Sequence, residues 1–196
     1  MKKIELLSPA GDFECLKAAV QNGADSVYFG GNLFNARASA SNFDSNELKK
    51  AIDYCTLRNV KTHLTLNTLI KDNEFEQAVN LALEAYQLGI DAIIVQDLGL
   101  AKYLIQHFPD LPIHASTQMS IHNLEGVQEV EKLGFKRAVL ARELSLEEIQ
   151  YICSHSNIEI ETFVHGALCI CYSGQCLFSS MVGGRSRKSW QMCPAL

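Results

Sequence analysis

The chain has 196 residues, 47% of them hydrophobic and 20% charged, which is apolar material for one core with no compositional break marking a second domain. Its net charge of −5 advertises no nucleic-acid binder, no apolar run reaches the roughly 18 residues of a membrane span, and the start MKKIELLSPAGD lacks the core of a signal peptide, which places the chain in the cytoplasm. Seven cysteines, an odd number, then point to reduced thiols, metal ligation or catalysis rather than to a disulfide framework.

In chain order, the apolar run IELLSPA is followed by the helical pattern DFECLKAAVQNG, and DSVYFGG by SNELKKAIDYCTLRN. KTHLTLNTLI precedes NEFEQAVNLALEAYQLG, DAIIVQDL precedes GLAKYLIQHFPD, PIHASTQMS precedes NLEGVQEVEKLG, and KRAVLARE precedes SLEEIQYICSHSN. The last run is IEIETFVHG. Gly23, Asn59, Gly89, Asp110, Gly134 and Asn157 stand where each helix must stop, the place of a left-handed C-terminal residue. Asp12, Ser45, Asn123 and Ser145 stand as N-caps, and Ser145 with Glu148 spells a capping box. Cys15, Cys55 and Cys153 read as small buried hydrophobes on apolar helix faces, and His63 and His107 as satisfied structural histidines.

Nearly continuous apolar runs separated by helices predict a parallel sheet covered by helices. The expected fold is α/β, a (β/α)8 TIM-barrel-like arrangement left incomplete, with about seven parallel strands and six helices. An open doubly wound sheet is the weaker reading, because Gly30-Gly31 lacks dinucleotide-loop spacing and because polar residues recur at the C-terminal end of almost every strand rather than at one switch point. Those residues are Ser8, Asn67, Thr68, Gln96, Asp97, Ser116, Gln118, Arg142, Glu143 and His165. On a barrel they converge on one cavity, and Asn67, Gln118, Arg142 and His165 are the candidate catalytic set. Arg142 with Glu143 fits either a structural ion pair or an anion clamp.

The stretch ETFVHGALCICYSGQCLFS holds Cys169, Cys171 and Cys176 within eight positions. Cys169 and Cys176, with Gly174 in the turn between them, suit metal-bound thiolates. A protease would instead use Cys169 as nucleophile with His165 as base. Neither an H-E-x-x-H zinc motif nor a G-x-S-x-G elbow is present.

The runs ELLSPAGD, GADSVYFGG, HASTQ, LARELSLEEI and ETFVHGALCICYSGQC resemble peptidase family U32, the collagenase-like proteases, from Glu5 to about Ser186. The pattern E-x-F-x-x-G-A-L-C-x-x-x-x-G-x-C carries the likeness, with Phe178 a mild departure. The order VQDLG, HASTQ, LAREL is most similar to the branch linked to oxygen-independent hydroxylation of ribosomal RNA cytidine, while sister branches act on transfer RNA uridine or in ubiquinone synthesis. The resemblance implies a barrel-like domain over residues 1–186, an RNA or peptide substrate, and a four-cysteine 4Fe-4S cluster to which Cys169 and Cys176 contribute, with Cys171 at a position the motif leaves free. The peptidase label rests on a catalytic type never clearly assigned, so a genuine Cys peptidase and an inactive fragment stand as alternatives.

Members of that family continue past GGRS with a string like GNRGKCAQPC, where this chain has RKSWQMCPAL. Codons that spell the first string, with one extra A in front, spell all ten residues of the second. Residues 187–196 are therefore expected to be an out-of-frame tail, Cys193 a coincidental cysteine, the family's C-terminal region absent, and the cluster incomplete. A sheet interrupted after seven strands is further expected to pair its open edge with a second copy.

Overall fold

The computed structural model describes residues 4–36, 43–166 and 169–176; the expected tail, Phe178 and Cys193 fall outside them. The strands are β1 (Leu7–Pro9), β2 (Ser26–Gly30), β3 (Lys61–Leu66), β4 (Ala92–Val95), β5 (Ile113–Ala115), β6 (Arg137–Val139) and β7 (Glu159–Glu161). The helices between them are α1 (Phe13–Gln21), α2 (Ser45–Thr56), α3 (Asp72–Gln87), α4 (Leu98–His107), α5 (Leu124–Leu133) and α6 (Leu146–His155). All strand pairs are parallel and follow chain order from β1 to β7. This is the incomplete barrel read from the sequence.

Register explains how the sheet sorts its side chains. Tyr28, His63 and Ala92 lie in one lateral row, and Ile94, His114, Arg137 and Glu159 in another. Ala92 and Ile94 are two apart on β4, so both rows share a face. The opposite face carries Val27, Phe29, Leu64, Leu66, Ile93, Val95, Ile113, Ala115 and Ala138, all of which belong to the buried core. That core lies between sheet and helices, where α2 contributes Leu48, Ala51 and Ile52 and α3 the small stripe Ala78, Ala82 and Ala85. Each fully buried Leu, Ile or Phe there contributes roughly 1.5–3 kcal/mol. The inner face is instead polar and titratable, unlike the branched apolar layers that usually fill such a barrel.

Inner-face residues at the N-terminal end of the strands close the curl. Arg137 donates two parallel hydrogen bonds to Glu5, at 3.1 and 3.0 Å, and further bonds to Glu159 at 2.7 Å and Glu161 at 3.2 Å. One guanidinium thus ties the segment before β1 to β6 and β7, on either side of the open seam. Burial pushes the Glu5 carboxyl up, but hydrogen bonds from Arg137 and Ser26 outweigh it and bring it to about 2. Burial holds Glu161 above the usual carboxylate range, with Arg137 opposing the shift.

Several local expectations are corrected. Left-handed residues end four helices, Gly23, Asn59, Gly89 and Gly134, whereas α4 stops at Phe108 and α6 at the extended Ser156, so Asp110 and Asn157 play no such part. The cap of α2 is Asp44 rather than Ser45, because Asp44 has Glu47 three residues on and completes a capping box. Cys15 and Cys153 are exposed and only Cys55 is buried. The buried positions of α1 and α6 are Leu16 and Ile152, and a neighbouring residue is turned about 100° away. His107 is satisfied through the Tyr103 carbonyl at 2.8 Å. His63 is not satisfied: its Nδ1 is buried without a hydrogen-bond partner, as is that of His114, whose ring packs edge-on against it at 5.0 Å.

Candidate functional site

At the C-terminal ends of the strands, the residues that follow β3, β4 and β5 meet. Asn67 Nδ2 donates to Ser116 Oγ at 3.3 Å, and its Oδ1 accepts the Ala36 N–H at 3.0 Å. Gln96 Nε2 donates to the Gln118 carbonyl at 3.2 Å, and Ser116 Oγ accepts the Gln118 N–H at 3.1 Å. The chain expected to run on as a strand through Ser120 turns here into a short 3-10 helix, Thr117–Met119, ended by the left-handed Ser120. Ser116 causes that turn by capping it. Asp97 serves structure, accepting the N–H groups of Leu100 and Ile70.

Arg142, after β6, anchors a second group through a residue that strand and helix patterns do not mark. Ser173 is only 2% exposed within a loop of otherwise exposed or half-buried residues. Its Oγ accepts from Arg142 N at 3.2 Å and Arg142 Nε at 3.1 Å, and donates to Glu143 Oε1 at 3.2 Å. The same Glu143 oxygen accepts the Ser173 N–H at 2.9 Å. Ser120 Oγ donates to the Ser173 carbonyl at 2.7 Å and accepts from Gln175 Nε2 at 3.0 Å. His122 completes the group, with Nδ1 donating to the Ser120 carbonyl at 2.6 Å and Nε2 at 3.4 Å from Glu143. Arg142 and Glu143, read from the sequence as either an ion pair or an anion clamp, both grip one serine here.

Gly174 locks this loop to the first group. Its φ is +73°, and a Cβ would stand 2.5 Å from Ser120 Oγ and press against the Gln118 carbonyl oxygen, so only glycine fits. The sequence signal was the CYSGQC turn itself, in which Ser173 precedes Gly174.

The thiols lie on this pinned loop. The Cys171 N–H and the Arg142 guanidinium hold Cys169 below the usual thiol range, and Arg142 also donates to the Cys171 carbonyl at 3.2 Å. Cys171 is pushed up by hydrogen bonding to Cys176 and by the charges of Cys176 and Cys169, so it stands beside both expected ligands. Among the described residues no group of three or more His, Cys, Asp or Glu side chains is arranged to hold a metal ion. Cys169 and Cys176 would be two of the four thiolates that a 4Fe-4S cluster needs, so the described residues do not complete such a site.

His165 is the expected rim residue that does not join. It is exposed beyond β7 and makes no hydrogen bond among the described residues, to Cys169 or to any other group. Asn67 and the Gln118 backbone share Ser116, and Arg142 joins the same end of the sheet through Ser173 and Gly174, whereas Cys169 and His165 do not bond to each other.

The opposite end of the sheet carries a groove of about 370 Å³, lined by Glu5, Asp25, Lys61 and Asp91 among others. Its carboxylates are already engaged. Asp25 accepts the Leu6 N–H, Asp91 accepts from Thr62 N and Oγ1, and Glu5 holds Arg137. In barrels this is the stability face, and the groove is not the site.

Against known proteins, the model of peptidase family U32 matches residues 11–193. The chain is 42% identical over 184 residues to the 23S rRNA 5-hydroxycytidine C2501 synthase of Escherichia coli (strain K12), covering 94% of this chain and 28% of that protein. It is 36% identical over 187 residues to the collagenase of Porphyromonas gingivalis (strain ATCC BAA-308 / W83), covering 89% of this chain and 44% of that one. The chain thus spans less than half the length of either relative. The solved U32 peptidase Mk0906 superposes with a TM-score of 0.70 at 17% identity, over 82% of this chain and 68% of that one, a likeness of fold. No helix among the described residues is long and apolar enough to cross a membrane.

Proposed function

The chain belongs to peptidase family U32, and from that premise we propose that its C-terminal rim takes part in oxygen-independent hydroxylation of an RNA base, in the cytoplasm, rather than in peptide hydrolysis. The observation that carries this reading is the composition of the rim. The carboxamides of Asn67 and Gln96 meet the Ser116 hydroxyl and the Gln118 backbone at one place, and the Gln118 side chain leaves from that same turn. Such groups suit the hydrogen-bonding edge of an unpaired base. Acyl transfer needs a nucleophile hydrogen-bonded to a base, and Cys169 has Arg142 and Cys171 as its neighbours. The 42% identity to the rRNA hydroxycytidine synthase supports the same direction.

In this reading Asn67, Gln96 and Gln118 orient the base, while Arg142, through Ser173, positions the thiol loop above it. A 4Fe-4S cluster, when completed by further ligands, would supply electron transfer; converting a base C–H to C–OH adds one oxygen and removes two electrons, so the reaction requires a co-substrate other than O2 that donates the oxygen or accepts the electrons.

Nucleoside mass spectrometry tests the reading. RNA from cells lacking the endogenous activity, supplied with this chain, is expected to gain one oxygen on a pyrimidine, and Gln118→Ala is expected to abolish the gain. Gelatin cleavage by the purified chain that disappears in Cys169→Ser, with no change in the RNA, would overturn the proposal in favour of the peptidase.

A further inference from the structure

Two adjacent residues of the thiol loop have opposite burial: Ser173 is 2% exposed and Tyr172 66%. The backbone on either side of Tyr172 is fixed. Ser173 is gripped by Arg142, Glu143 and Ser120, the Tyr172 carbonyl accepts the Gln175 N–H at 3.1 Å, and Gly174 is wedged against Gln118. Among the described residues, the phenol ring itself has one ring contact, a tilted one with His122, with centroids 6.3 Å apart. Phe163, 46% exposed, follows β7 at the same end of the sheet. A large apolar ring left in water on an anchored backbone is costly unless something covers it.

We propose that Tyr172 is the stacking platform for an unpaired pyrimidine of a single-stranded RNA, with the rim carboxamides reading the edge of that same base. This rests on the RNA reading above and deepens it by naming how the substrate base is held. A nucleobase offers what the two halves of the rim lack: a flat π face for the ring and a hydrogen-bonding edge for Asn67, Gln96 and Gln118. Inside a duplex both faces are stacked and the edge is paired, so the substrate must be single-stranded or flipped out. Of the rim carboxylates, Asp97 is taken up by two backbone N–H groups, and Glu143 lies beside Arg142, whose positive charge offsets part of its repulsion for the phosphates. Because the ring is exposed, its removal leaves the loop's hydrogen bonds in place.

Two RNAs of equal stem length provide the test: a hairpin whose loop is unpaired pyrimidines with one fluorescent cytidine analogue, and a blunt duplex. The unmutated chain is expected to bind the hairpin more tightly and to quench the analogue. Tyr172→Ala is expected to weaken hairpin binding about 5- to 100-fold and abolish quenching, with duplex binding unchanged. Tyr172→Phe, which keeps the π face, is expected to restore both. Equal hairpin binding by Tyr172→Ala overturns this inference and leaves the RNA reading standing, whereas failure of the unmutated chain to bind either RNA overturns both. A Tyr172→Ala defect confined to a proline-rich collagen-type peptide, with hairpin binding intact, reassigns the ring to a peptide and overturns it as well.

Discussion

The two ends of the sheet are both rich in polar groups and treat them in opposite ways. At the N-terminal end, Arg137 has only 9% of its side chain exposed and spends its donors on three carboxylates of the same chain. At the C-terminal end, carboxamides, thiols and an aromatic ring sit on short hydrogen-bonded scaffolds with their outer sides in solvent. Polar content alone therefore does not mark a site. A buried network of opposite charges holds a fold together, and a network of neutral carboxamides and hydroxyls at a strand-end rim, bonded on one side, keeps hydrogen-bonding capacity for a ligand.

Removing the network of opposite charges should have the largest effect. Arg137→Met leaves Glu5, Glu159 and Glu161 without their cation and is expected to cost about 3–5 kcal/mol, a fall in Tm of roughly 6–20 °C for a chain of this size. Gln118→Ala at the other end is expected to cost about 1 kcal/mol or less while removing RNA modification. Equal losses in thermal melts of the two variants would erase the distinction between the ends.

Acid should act next, again through the inner face. Burial first, and then Arg137, hold His63 at about 4; burial, then His63 and Arg137, hold His114 at about 2. Both pKa values are depressed, so the unfolded chain binds protons more readily, and stability present above about pH 6.5 is lost as pH falls toward 4 and below. Glu5, depressed to about 2, adds a further loss below about pH 4.5. Denaturant midpoints should decline steadily from pH 7 to 4, and His63→Phe should flatten the upper part of that decline. A midpoint constant across this range would contradict the neutral buried pair.

A smaller effect is expected at the joint between the two rim groups. Gly174→Ala combines a left-handed φ with a clash against Gln118 and should cost about 1–3 kcal/mol. The loss should appear as slower alkylation of Cys169 at neutral pH, because the released loop no longer holds its thiolate beside Arg142 and the Cys171 N–H. The weakest effect concerns the seam. β1 and β7 each pair with a single strand, and we propose that two copies join there. Sedimentation should show dimers at micromolar concentration, and a compact monomer would exclude them.

Much of this architecture was legible because its causes are local. Nearly continuous apolar runs and Gly or Asn stops fix strands and helices, and a parallel barrel gathers strand ends at one face, so Asn67, Gln118 and Arg142 could be grouped before their distances were known. Arg137 could not, because a Lys-Arg pair opening a strand looks solvated, and its partner Glu5 lies 132 residues away. Ser173 was hidden for a similar reason: its partners come from the ends of β5 and β6. Strand length also escaped the pattern, since Ser116 turns the chain where the apolar run continues. His165 follows β7 at the expected end of the sheet, yet among the described residues it stays exposed.

The 132-residue separation of Glu5 and Arg137 sets an order of events during synthesis. At roughly 5–20 residues per second, Glu5 leaves the ribosome on the order of ten seconds before the guanidinium that will neutralise it. Strands β2 to β5 can pair in sequence as they emerge, but β1 stays unlatched until β6 is complete. The first segment made is among the last secured, and its amides should be the last to gain protection from hydrogen exchange as the chain folds.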